Sequence, residues 1–194
     1  MENYVEKLSP GDVINARITH LEHFGAFADI GCGIVSLLPI DTISVSRIDH
    51  PSQRFKVGDS IKAVVKSNDN GRICLTHKEL LGTWEENADN FSVGQTVTGI
   101  VRSVESYGAF IELTPNLAGL AELKTGLKPG MKVSVYIKNI IPQKMKIKLI
   151  VIDCFDEDTE ISPPEYYFFG DKISKFRYSP ENCNKIIETS FDVQ

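Results

Sequence analysis

The chain has 194 residues, 42% of them hydrophobic and 24% charged, with a formal net charge of −5. That is the make-up of an ordinary globular protein rather than a disordered one. No apolar run approaches the roughly 18–20 residues that cross a bilayer, and the acidic start MENYVEKLSPGD does not read as a secretory signal.

In chain order, Val13 to Leu21 alternates apolar with polar and carries β-branched residues, the pattern of a half-buried strand. His23-Phe24-Gly25-Ala26-Phe27 follows, an aromatic pair around a glycine. An insertion, Asp41 to Arg54, comes before the next strand pattern, Ile61 to Lys66. Asn68-Asp69-Asn70-Gly71 then signals a tight turn into Arg72-Ile73-Cys74-Leu75. From His77 to Phe91 only Thr83 is β-branched, which predicts a short helix with Trp84 packed against a barrel.

The next segment repeats the first. Pro10 to Ile30 aligns without a gap on Val93 to Leu113, a shift of 83 residues, so that Gly25-Ala26-Phe27 falls on Gly108-Ala109-Phe110. Val57 to Val65 matches Pro129 to Ile137, and Arg72 to Leu75 matches Lys146 to Leu149. Two copies of one small domain follow. Each has room for about five short strands, enough for a small closed barrel.

The two aromatic pairs, Phe24 with Phe27 and Tyr107 with Phe110, carry the chemistry. Residues three apart on a regular strand point to opposite faces. A bulge at the glycine would reset that alternation and turn both rings outward. Outward rings make a stacking platform for bases; a packed core ring in each copy is the other reading that the pattern allows.

Taken together, the ordered set of a leading glycine, [FY]-G-A-F, V-G-D-x-I and G-R-I-x-L resembles the S-one domain, an RNA-binding oligonucleotide-binding (OB) barrel. The resemblance covers about three-quarters of the chain and is present twice. It implies an all-β fold of two tandem five-stranded OB barrels joined by a short helical linker, with a small α+β C-terminal appendage. The boundaries are 1–82, 83–90, 91–152 and 153–194. It also implies an RNA face of Phe24, Phe27 and Arg72, with Asn68 at the turn, in the first copy, and of Tyr107, Phe110 and Lys146 in the second. The second copy has Pro142 at the turn position. A histidine usual in the family falls on Pro39 and on Glu122, and a carboxylate there would repel phosphate. Lys62, Lys66 and Lys78, with Arg47, Arg54 and Lys56, are candidates for a phosphate track.

Beyond Phe155 the composition changes. Residues 151–194 hold ten acids and four bases, leaving the first 150 residues at +1, so bulk acidity does not exclude a local basic face. Asp156-Glu157-Asp158 and Ser162-Pro163-Pro164 read as a linker. Tyr166–Phe169 with Ile173–Tyr178 suggests a hairpin, and Ser179-Pro180-Glu181 a helix start running through Ile187. So small a piece is expected to dock on a barrel or a partner.

The four cysteines, Cys32, Cys74, Cys154 and Cys183, are scattered, which fits reduced thiols in the cytoplasm better than a disulfide framework or a zinc site. No catalytic constellation, metal site or cofactor motif is present. The reading is a cytoplasmic, non-enzymatic single-stranded RNA-binding protein, with messenger or ribosomal RNA and the ribosome as partners and no membrane. The rival reading is an assembly adaptor whose residues 156–194 dock a protein.

Overall fold

The computed structural model describes residues 2–31, 33–155 and 160–192, with the side chains of Glu2 and Asn3 left aside. The chain divides into two compact units, Met1–Gly82 with Ile161–Arg177 and Glu188–Gln194, and Thr83–Glu160 with Tyr178–Ile187.

In the first unit a short helix, α1 (Glu2–Lys7), precedes β1 (Val13–Glu22), β2 (Gly25–Asp29), β3 (Val35–Pro39), β4 (Ser60–Asp69) and β5 (Arg72–Thr76). They close into a barrel in the order β1-β2-β3-β5-β4. Every neighbouring pair is antiparallel except β3 with β5, which run parallel through Leu37 and Cys74. The interior is filled by alternate residues: Ile18, Leu38, Ile61, Val65 and Leu75, with Ala16, Ala26, Ala28 and Ala63 where the walls come close. The Asn70-Gly71 turn joins β4 to β5 with φ of 53° and 86°, the paired positive values of a type I′ hairpin. The insertion is no loose loop, for two 3-10 turns bring Ile43, Ile48 and Phe55 into the core.

The tail segment of this unit is built into it. Asp171 and Ile173 bond through their main chains to Val13 and Gly11. β11 (Lys175–Arg177) pairs with β12 (Glu188–Ser190), burying Phe176. Tyr166 completes a buried network. The His77 Nδ1 lies 2.8 Å from the Ile43 carbonyl, which can only accept, so Nδ1 carries the proton. The bare Nε2 of the neutral ring then accepts from the Tyr166 hydroxyl at 3.0 Å, and that oxygen accepts from the Lys62 amide at 3.0 Å. Burial holds His77 down at about 4 and pushes Tyr166 up to about 12.

The second unit opens with α2 (Trp84–Ala88), capped by a reciprocal Thr83–Glu86 box. Its barrel is β6 (Thr96–Glu105), β7 (Gly108–Thr114), β8 (Leu117–Ala121), β9 (Lys132–Ile141) and β10 (Lys146–Phe155), in the order β10-β8-β7-β6-β9 with β9 and β10 closing the ring. Residues 83–90, expected as a linker, fold onto this unit. Trp84 is buried, and the Asn87 side chain accepts from Thr114 Oγ1 at 2.7 Å. Tyr178 is buried here too, donating to the Asn116 carbonyl at 2.5 Å, and burial raises its phenol.

Two expectations for the tail fail. Tyr166–Phe169 does not pair with Ile173–Tyr178; the hairpin partners are β11 and β12. Nor does a helix follow Ser179. Its hydroxyl, expected as a cap, accepts instead from the Ile187 amide at 3.0 Å, and the Tyr178 amide donates to the Ile187 carbonyl, so the chain folds back at once. The Asp156-Glu157-Asp158 run lies outside the described residues.

Candidate nucleic-acid interface

Strand register places one row of outward side chains across each barrel. In the first, His20, Phe27, Leu37, Cys74 and Ser67 stand side by side on β1, β2, β3, β5 and β4. In the second the same row reads Ser103, Phe110, Leu120, Lys148 and Asn139.

Both aromatic pairs meet on this face, by a route other than the expected bulge. Gly25 and Gly108 pair in register with Glu22 and Glu105, and the irregularities fall on β1 between Ile18 and His20 and on β6 between Val101 and Ser103. In a regular strand Phe24 would share the core side of Ala26 and Ala28. It escapes because Phe24 and Tyr107 stand in the tight turns before β2 and β7. The ring pairs lie 5.9 Å apart at 86° and 6.2 Å apart at 85°. Phe24 is 44% exposed and Tyr107 66%. The glycines serve another purpose. A Cβ at Gly25 would sit 2.4 Å from the Leu38 carbonyl oxygen, and one at Gly108 2.6 Å from that of Ala121. Close approach of β3 and β8 demands a residue without a side chain.

The first face carries more rings than the sequence suggested. His23 packs edge-on against Phe24 at 5.2 Å, and His20 lies 6.1 Å from Phe27 while pairing with Glu22 at 2.6 Å. The signal was present: the hairpin of β1 and β2 sets His20 opposite Phe27. Arg72, two residues before Cys74 on β5, shares the outer side and is exposed. Lys66 is exposed at a register shift in β4 beside the same row.

The second face is a groove of ≈ 590 Å³ lined by Tyr107, Phe110, Glu122, Lys138, Lys146 and Lys148, among others. Lys148 and Lys138 were missed as site residues. Alternation from Lys146 would have found Lys148, and the repeat sets Lys138 on Lys66. None of the side chains of Arg72, Lys66, Glu122, Lys138, Lys146 and Lys148 has an ion pair or hydrogen bond among the described residues.

Two candidates are not brought to the rings. Asn68 spends its side chain on the fold: Nδ2 donates to the Val5 and Leu8 carbonyls, both at 2.8 Å, and Oδ1 accepts from the Gly71 amide. It pins α1 and the hairpin turn, and both of its amide donors are spent there. Lys62 pairs with Asn15 early in β1, whereas Phe27 lies opposite His20 near that strand's end. Its ammonium rests 6.0 Å from the Phe169 ring centroid, in a different groove lined by Tyr4, Arg17 and Tyr166.

A match to the S1 RNA binding domain spans residues 7–78, the first barrel. Residues 7–78 belong to the S1 RNA binding domain family. The second barrel repeats the strand order of the first and sets a corresponding row of side chains on its outer face. Among curated proteins, the small ribosomal subunit protein bS1 of Leuconostoc lactis is 33% identical over 157 residues, 74% of this chain and 36% of that protein. The bS1 of Chlamydia muridarum is 32% identical over 174 residues, 87% of this chain and 30% of that protein. The chain thus spans about a third of the length of these relatives. A solved structure, GSP13 from Bacillus subtilis, matches 36% of this chain and 55% of that one at 24% identity, with a TM-score of 0.34 too low to bear on the fold. Among the described residues no helix is long and apolar enough to cross a membrane.

Proposed function

We propose that the protein binds single-stranded RNA through the outer faces of its two S1-type barrels, in the cytoplasm and in association with the ribosome or messenger RNA, without catalysing a reaction. The observation that supports this most directly is the outward ring pair present on both barrels, each flanked by cations with no partner among the described residues. Every base has a π-face, so stacking on such rings tolerates many sequences and contributes about 1–3 kcal/mol per base. Arg72 adds a planar cation for stacking or phosphate, and the lysines add point charges. The relatives named as ribosomal proteins point to the ribosome as the setting.

The test is fluorescence anisotropy of the full chain with a labelled single-stranded RNA oligomer. Phe24→Ala, Phe27→Ala and Arg72→Ala are each expected to weaken binding several-fold, and no binding by the parent at low salt would overturn the reading. The adaptor alternative is less well supported. Tyr166, Phe176, Tyr178 and Phe191 are committed to packing, leaving Phe169, 79% exposed, as the tail's most exposed ring among the described residues. A protein partner held by the tail would be captured after nuclease treatment and lost on Phe169→Ala.

A further inference from the structure

Phosphate binding does not account for one member of the second groove. Ala109 pairs with Ala121 as Ala26 pairs with Leu38, so Glu122 takes the place next along that Pro39 holds in the first barrel, where Pro39 lies opposite Gly25. Glu122 is exposed, one residue beyond the pairing of Ala121 with Ala109. It lines one groove with Tyr107, Phe110 and three lysines, unpaired with any described residue. A groove meant for phosphate alone gains nothing from a carboxylate, since like charges repel.

A carboxylate only accepts hydrogen bonds. Bases splayed on aromatic rings are read along their Watson–Crick edges, and the four edges differ. Guanine alone presents two adjacent donors, N1–H and the N2 amine. Adenine and cytosine set a ring acceptor beside a single amine, and uracil flanks its one N–H with two carbonyls. An acceptor with two oxygens beside a stacking platform therefore matches guanine and opposes the other three.

We propose that Glu122 makes the second barrel guanine-selective. A guanine stacked on Tyr107 and Phe110 would donate N1–H and N2–H to the Glu122 carboxylate, while Lys138, Lys146 and Lys148 take the flanking phosphates. The first barrel has Pro39 at the matching place, the Glu22 carboxylate on its ring face is engaged by His20, and it stays sequence-tolerant. The proposal rests on the RNA-binding reading above.

The experiment measures anisotropy of the full chain with a labelled uridine oligomer carrying a central run of guanines, adenines or inosines. Inosine keeps N1–H and lacks the amine. The parent is expected to bind the guanine oligomer about tenfold tighter than the adenine one, the lower range for a bidentate contact, with inosine between. Glu122→Gln collapses that ratio toward one and tightens the plain uridine oligomer, because a negative charge leaves the groove. Phe24→Ala, on the other barrel, weakens all oligomers and keeps the ratio. Equal affinity for guanine and adenine in the parent, or a ratio that survives Glu122→Gln, overturns the proposal. Absence of binding to every oligomer at low salt overturns the RNA-binding reading and this proposal with it, a failure distinct from binding without discrimination.

Discussion

At the scale of single residues, the fold rests on positions where one group has no substitute. Gly108 is such a place, because β8 passes so near that a methyl group must displace main chain. Gly108→Ala is expected to cost about 1–3 kcal/mol, the usual penalty of overpacking, and to lower the melting temperature by several degrees. A melt within a degree of the parent would show that the strand gives way freely. His77 is another. Its folded value of about 4 lies below the ordinary 6.5, so above pH 6.5 the ring is neutral whether folded or not. As pH falls, the unfolded chain takes up the proton first, and stability drains from about pH 6.5 until about pH 4, where the loss levels off. The shift corresponds to on the order of 3 kcal/mol. Thermal melts between pH 6.5 and 5 check this: the parent's melting temperature should fall with pH more steeply than that of His77→Gln. The same scale explains what the sequence could not disclose. Asn68 occupies the right turn, but the partners that consume its amide, Val5 and Leu8, are some sixty residues away in the chain and leave no local sign.

At the scale of elements, repetition made the barrels legible. Alternation in β1 and β4, and their echoes in β6 and β9, carried the strand pattern, and Asn70-Gly71 marked its hairpin without help from the rest of the chain. The ring pair was found for the same reason, although its outward pose was assigned to the wrong device. No residue type marks the register shifts in β1 and β6; they follow from how two strands of a closing barrel slide past each other. The tail was read less well because local signals competed with long-range ones. Ser179-Pro180 has the chemistry of a helix start, yet burial of Tyr178 and the bond from Ile187 bend the segment back. Tyr166 shows how firmly such a segment is tied. Removing its hydroxyl in Tyr166→Phe leaves the Lys62 amide and His77 Nε2 without a partner, which predicts a loss of about 1–3 kcal/mol. Chemical denaturation gives that number directly, and an unchanged midpoint would mean water replaces the phenol.

At the scale of the whole molecule, charge is distributed in a way the net value hides. The acid-rich tail sets the sign of the total, while Arg72, Lys66, Lys138, Lys146 and Lys148 stand on the ring faces unpaired with any described residue. If all five touch phosphate, the affinity for single-stranded RNA should fall with the logarithm of salt at a slope of about 3.5, from ~0.7 per contact. Lys148→Ala should lower that slope by about 0.7 while sparing a slope-independent remainder due to stacking. A salt-insensitive affinity would remove the cations from the interface.

The two outward rows share Phe27 with Phe110 and Leu37 with Leu120, and the exchange of Cys74 for Lys148 between them has a practical outcome for the proposed RNA binding. If both faces bind as proposed, the first would hold a strand with two cations and the second with three, so rising ionic strength would loosen the second more. A strand held by both would not come away at once as salt rises. It would slip from the lysine-rich module first and stay longer on the phenylalanines and the arginine of the other, released in two stages.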